Sequence, residues 1–293
     1  MKRLLTKLIV LALFAAGAGL WLTWPKSVDP ALYADLQGDA ARGETVFWAG
    51  GCASCHADKD DEARTLLSGG YRIASDFGTF ISPNISPDPD HGIGAWTLAQ
   101  FADAMIEGRT PGGAHYYPAF PYGSYTRMAP QDMVDLWAFL QTLPASEVPS
   151  APHEVGFPFN IRLAVGGWKL LFLNTDWIGP GGDAQVERGR YLVEALGHCA
   201  ECHTPRNALG GLDTSRWMAG APNPSGKGRI PGLTPAQLDW SAVDIAYYLE
   251  SGFTPEFDSA GGGMASVVAN QAHVPAADRE AIAAYIKALP ATE

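Results

Sequence analysis

All four cysteines of this 293-residue chain fall in two copies of one pentapeptide: Cys52-Ala53-Ser54-Cys55-His56 and Cys199-Ala200-Glu201-Cys202-His203. No other feature narrows the fold as much. Thiols three positions apart share one helical turn, so both can add to vinyl groups of a single porphyrin. The histidine that follows is placed to bring its imidazole to the iron from the proximal side. A redox dithiol does not need that histidine, and neither copy sits in the strand–helix alternation of a thioredoxin. A zinc site would have to pool ligands from two motifs half a chain apart. The motifs therefore predict two covalently bound haem c groups, attached through Cys52, Cys55, Cys199 and Cys202, with His56 and His203 as iron ligands.

The surroundings of the motifs repeat as well. Arg42-Gly43-Glu44-Thr45-Val46-Phe47 leads into the first and Arg188-Gly189-Arg190-Tyr191-Leu192-Val193 into the second. Each reads as a short amphipathic helix whose glycine lets another helix cross closely. Farther on, a helix is expected from Thr97 to Gly108 and another from Ser241 to Gly252. Thr97 and Ser241 are good N-caps, and the two glycines good stops. Leu98, Phe101, Ala102 and Met105 follow the helical period, as do Ala242, Ile245, Ala246 and Leu249. A closing helix is expected over 132–143, with Leu136, Phe139, Leu140 and Leu143 on one face. Its copy over 278–289 carries Ile282, Tyr285, Ile286 and Leu289, and Pro144 and Pro290 end the two. No stretch shows convincing strand alternation, and 33 glycines with 22 prolines predict long irregular loops. Glu147 to Gly182 reads as a linker in which Phe157, Phe159, Trp168 and Phe172 pack between the domains. Arg162 and Lys169 argue against a second membrane span there.

The first residues read as an address. Lys2, Arg3 and Lys7 precede an apolar run from Leu8 to Trp24. Ala16-Gly17-Ala18 resembles a cleavage site, but Leu20 to Trp24 continues the run, and tryptophan suits a membrane interface. The expectation is an uncleaved anchor in the inner membrane, N-terminus cytoplasmic and the remainder in the periplasm, where c-type haems are attached. The net charge of −11 argues against nucleic acid and against a polybasic surface patch. It leaves basic protein faces as electrostatic partners.

Several stretches carry a resemblance: 77–88 (Phe-Gly-Thr-Phe-Ile-Ser-Pro-Asn-Ile-Ser-Pro-Asp), Gly92-Ile93-Gly94-Ala95-Trp96, Tyr117-Pro118-Ala119-Phe120-Pro121-Tyr122 and Cys202-His203-Thr204-Pro205-Arg206-Asn207. Over about residues 38–290 the chain resembles a dihaem class I cytochrome c, and more narrowly the cytochrome subunits of membrane-bound periplasmic alcohol and gluconate dehydrogenases. The resemblance implies an all-α fold. Two tandem class I cytochrome c domains with long Gly/Pro-rich loops would follow an N-terminal transmembrane helix. The expected boundaries are 1–26 for the anchor or signal, 36–146 for domain 1, 147–182 for the linker and 183–291 for domain 2.

It also implies where distal iron ligands belong. In the second domain Met264 follows Gly261-Gly262-Gly263 ahead of the last helix, where this family places its distal methionine; Met218 is the rival. In the first domain the family often has methionine where Phe120 stands. Met128 is then the expected ligand and His115 the alternative, its plainer role being that of an exposed loop histidine. Met105 and Met133 fall within helices, as core residues do. Trp96 and Trp240 occupy equivalent places and could meet propionates or simply pack. Asn84 is matched by Gly232, so its role is not reproduced.

The function so implied is a single-electron relay, not an enzyme. The donor would be a periplasmic dehydrogenase and the acceptor the quinone pool, a soluble cytochrome or an oxidase. The competing reading is a dihaem enzyme such as a peroxidase, which needs an iron position open to substrate. A thiosulfate-oxidising type, by resemblance, uses a distal cysteine, and no cysteine is spare.

Overall fold

A computed structural model describes residues 1–224 and 228–292. The chain begins with α1 (Lys2–Leu22), a 21-residue helix with no buried residue. At 1.5 Å per residue it is about 30 Å long, the thickness of a bilayer core. Unit 1 follows with α2 (Ala40–Ala49), α3 (Cys52–His56), α4 (Leu98–Glu107), α5 (Tyr122–Tyr125) and α6 (Pro130–Leu140). The connecting segment holds α7 (Ala164–Phe172). Unit 2 is built from α8 (Ala184–Arg190), α9 (Ala200–His203), α10 (Ala242–Ser251), α11 (Gly263–Gln271) and α12 (Ala276–Ala288). A π-helical stretch, Tyr191–Leu196, extends α8.

The same local chemistry starts the same helix in each unit. Asp39 accepts the N–H groups of Ala41 and Arg42, and Asp183 those of Gln185 and Val186. Thr97 forms a reciprocal capping box with Gln100, and Ser241 does so with Asp244. Both helices end on a left-handed glycine, Gly108 at φ 55° and Gly252 at φ 78°.

The first and last helices of each unit cross at a glycine. A Cβ on Gly43 would lie 1.9 Å from the Asp135 carbonyl oxygen, and one on Gly189 would lie 1.9 Å from that of Ala281. The expected apolar faces are inside: Leu136, Phe139, Leu140 and Leu143 of unit 1, and Ile282, Tyr285, Ile286 and Leu289 of unit 2, are all buried. So are Phe101, Ala102, Met105, Ile245 and Leu249, whereas Ala242 is exposed. Both closing helices start about two residues earlier than expected, behind Ala129 and Pro275. One continuous core runs through both units, from Tyr33 and Phe47 to Ile286 and Leu289.

Two expectations need correction. Short strands exist. β1 (Arg72–Ser75) pairs antiparallel with β2 (Gly78–Ile81), Arg72 opposite Ile81, and β3 (Ala221–Pro222) pairs with β4 (Arg229–Ile230). Strands of two to four residues are too short to show alternation, and β1 is mostly exposed along its length. The linker aromatics also divide. Trp168 Nε1 donates to the Leu209 carbonyl of unit 2 at 3.0 Å, and Phe172 fills the space a side chain on Gly211 would need. Phe159 is half-exposed and makes an edge-to-face contact with Phe77, while Phe157 is 81% exposed and is not packed between the domains.

Candidate functional site

Each pentapeptide forms one helical turn and is anchored by the loop that follows. His56 Nδ1 lies 2.8 Å from the Pro83 carbonyl oxygen, and His203 Nδ1 lies 2.8 Å from that of Pro231. A carbonyl can only accept, so Nδ1 carries the proton and Nε2 is left with its lone pair. Burial holds both imidazoles below their usual pKa, against the opposing pull of the carbonyl. Each is therefore a neutral ring with a fixed tautomer, the state in which a histidine binds metal.

The loop is itself held in place, by matching bonds in the two units. Gly69 N–H donates to the His56 carbonyl at 2.8 Å, and Gly220 N–H to that of His203 at 2.7 Å. Both glycines have positive φ, 75° and 77°, and backbone presses where a side chain would sit. The next ladder bond runs from Ile85 N–H to the Leu67 carbonyl, and from Leu233 N–H to that of Met218. Leu67 and Met218 thus occupy equivalent places, and both are fully buried. Met218 is a core residue, at the place Leu67 holds in unit 1.

Burial pushes the Cys52 and Cys199 thiols up to about 12 and Cys55 up to about 11. Redox dithiols have a lowered, not a raised, thiol pKa. Among the described residues no group of three or more His, Cys, Asp or Glu side chains is arranged to hold a metal ion. Haem c suits the donor set. Two thiols share one turn, an imidazole follows them with Nε2 free, and buried polar atoms in this region, among them Trp48 Nε1, Tyr122 Oη and Asn270 Oδ1, have no protein partner. Buried polar atoms without a partner are costly, and the polar substituents of a bound haem are of the kind that would satisfy them.

Of the proposed distal groups, Met128 is buried just beyond α5, its N–H bonded to the Tyr125 carbonyl. Tyr125 in turn donates from Oη to the Gly50 carbonyl, at the threshold of the first motif. Met264 lies half-exposed in the first turn of α11, behind glycines with nothing within 4 Å of where their side chains would be. Met105 and Met133 are core residues. His115 is not the exposed loop histidine expected. It is 3% exposed, and its Nε2 donates at 2.9 Å to the Thr23 carbonyl at the end of α1. Its ring serves that junction.

The two motif regions meet. A side chain on Gly51 would touch the ring of His198, and one on Gly197 would approach the Ala49 carbonyl. Asn270 of α11 donates to Ser54 Oγ, inside the first motif, at 2.8 Å. Trp48 stacks on His273 with ring centroids 4.0 Å apart, and the edge of Tyr125 meets His198. Cys202 lies near enough to Cys55 to add, after burial, to the cost of charging the Cys55 thiol. Sequence reasoning missed His198, His273 and Asn270, because none belongs to the repeated pattern. Their partners lie in the other unit, and only the docked pair brings them together.

Two stretches, 40–144 and 186–290, match the model of the family described as cytochrome c. The chain belongs to the cytochrome c family. Along its full length this cytochrome is 60% identical to a dihaem cytochrome c-type protein of Cereibacter sphaeroides, with all of both chains covered. It is 37% identical to the fructose dehydrogenase cytochrome subunit of Gluconobacter japonicus, over 86% of this chain and 52% of that one. It is 34% identical to the cytochrome c subunit of an alcohol dehydrogenase (quinone) from Komagataeibacter europaeus, over 95% of this chain and 60% of that one. The chain thus spans little more than half the length of those two subunits. With two cytochrome c domains, it is a dihaem electron-transfer protein rather than a catalytic enzyme.

Proposed function

We propose that this cytochrome is anchored by α1 in the inner membrane, with both units in the periplasm, and relays single electrons from a dehydrogenase to the respiratory chain. Cys52, Cys55, Cys199 and Cys202 hold the two haems, and His56 and His203 bind iron on the proximal side. Met128 and Met264 complete the coordination on the distal side. A bound haem supplies a one-electron couple, which a His–Met ligand pair sets high in the range of haem potentials. The protein fixes the proximal tautomer through Pro83 and Pro231 and excludes water with a shared core.

The observation that carries the relay is the meeting of the two motif regions, through Gly51–His198, Ser54–Asn270 and Trp48–His273. Redox groups attached there share one interface, as passage of electrons between them requires. The names of the relatives support a dehydrogenase as donor. For the acceptor, the quinone pool, a soluble cytochrome and an oxidase are the candidates. The net charge of −11 favours a basic patch on at least one partner.

The test is stopped-flow reduction of the purified cytochrome by a co-purifying dehydrogenase, beside a pyridine haemochrome assay and spectra of Met128→Ala and Met264→Ala. Two covalent haems, fast reduction that slows with salt, and loss of about half of the thioether-to-iron band in each variant are expected. One haem per chain, or rapid carbon monoxide binding with peroxide turnover, overturns the reading.

A further inference from the structure

Among the described residues none buries α1 along its length, and the reading above assigns its cover to lipid; the inference here rests on that reading. α7 lies against the end of this helix. A Cβ on Gly166 would be 2.2 Å from the Thr23 carbonyl oxygen and 2.8 Å from His115 Nε2. The segment around α7 is therefore held at the level where α1 ends, which Trp21 and Trp24, 78% and 65% exposed, mark as an interface.

That segment turns its cations inward. The Arg162 guanidinium donates to the His115 carbonyl and lies 4.7 Å from the centre of the Tyr117 ring. Lys169 Nζ donates to the carbonyls of Glu107 and Gly108, at the end of α4, and lies 4.6 Å from the centre of the Tyr122 ring. What it leaves outward is mostly apolar, Phe157 (81% exposed), Leu171 (70%), Leu170 (57%) and Ile161 (46%), with the uncharged Asn160 among them. A cation freed to solvent would suit water; cations satisfied by protein carbonyls beside exposed leucines suit hydrocarbon. Nine residues cannot span a bilayer, so the helix would lie in its surface.

We propose that residues 157–172 form a second, interfacial membrane contact, which seats unit 1 on the lipid surface beside α1.

The test uses the full-length, haem-loaded protein in phosphatidylcholine–phosphatidylglycerol vesicles that carry a lipid with a photoactivatable diazirine on its acyl chain. Adducts are expected on peptides from 157–172 as well as from 8–24. Tyr247, Phe253 and Phe257 of unit 2, comparably exposed, should carry none. The variant L170E/L171E should lower the adduct yield on 157–172 on the order of tenfold and leave that on 8–24 intact. Adducts confined to 8–24 would overturn the second contact and leave the anchor standing. A mature chain that lacks α1 yet still gives adducts on 157–172 supports the contact while removing the anchor. No lipid adducts on 157–172, with that segment protected only after a dehydrogenase is added, would assign these side chains to a protein and overturn the proposal.

Discussion

The two units share a plan and differ in how their loops are secured. In unit 1, Asn84 is 3% exposed and ties the loop beyond His56 to the chain leaving the unit. Its Nδ2 donates to the Ser146 and Val148 carbonyls, at 2.8 and 2.9 Å, and its Oδ1 accepts from Ser86 N–H. The corresponding residue in unit 2 is Gly232, which can do none of this. Unit 1 is further covered by the linker and the end of α1. Unit 2 leaves Tyr247, Phe253 and Phe257 exposed, and Met264 follows glycines that have open space around them. Duplication preserved a motif histidine bonded to a proline carbonyl. It did not preserve what surrounds that histidine, because the two loops meet different neighbours.

The largest effect should strike both units alike. Gly43→Ala and Gly189→Ala each drive a methyl group into a backbone carbonyl at the helix crossing. Such overpacking costs about 3 kcal/mol in each variant, measurable as a lower denaturant midpoint of the haem-loaded protein. If Gly189→Ala is tolerated while Gly43→Ala is not, the crossings are not equivalent.

A smaller effect should be confined to unit 1. Asn84→Ala leaves two carbonyls and one N–H without their partner, at a cost of about 2 kcal/mol. Hydrogen exchange should quicken at residues 146–150 and remain as it was around Gly232. Equal quickening in both units would show that Asn84 acts on the whole fold.

The smallest effect is a difference in acid response. Burial pushes the Asp135 carboxyl up, but Arg42, the Asp39 N–H and Gln131 outweigh it and hold the carboxyl below its usual range. A lowered folded pKa gives stability that is present above the unfolded value of about 3.9 and is lost as pH falls through the folded one. The equivalent position in unit 2 is Ala281, and there Arg188 pairs with Asp278 nearer the helix start. Unit 1 also holds Asp58, Asp61 and Asp88 low, chiefly through Ser68 and the N–H groups of Leu66 and His91. Unfolding followed from pH 6 to pH 3 should show unit 1 losing stability first. Asp135→Asn should be less stable at pH 6 yet flatter towards pH 3; an unchanged slope would remove Asp135 from the response.

The chain alone disclosed whatever rests on neighbours in sequence. C-x-x-C-H on one turn, Thr97 and Ser241 as caps, Gly108 and Gly252 as stops, and the faces of α6 and α12 are local matters of spacing and backbone conformation. Crossing glycines were legible too, since Gly43 and Gly189 recur at one place in a repeated pattern. What the chain could not disclose depends on distant residues meeting. The four- and two-residue strands show no period, and His115 looked like a loop histidine until Thr23 came to lie against it. Met218 became a core residue only when its loop lined up with that of Leu67. Above all, the junction of the two motif regions is made by Gly51 and Ser54, His198, and Asn270 and His273, three stretches far apart in the chain whose meeting no repeated pattern marks. Side-chain periodicity reports which face of an element is buried, but not which element buries it. That is decided when the two units close on one continuous core.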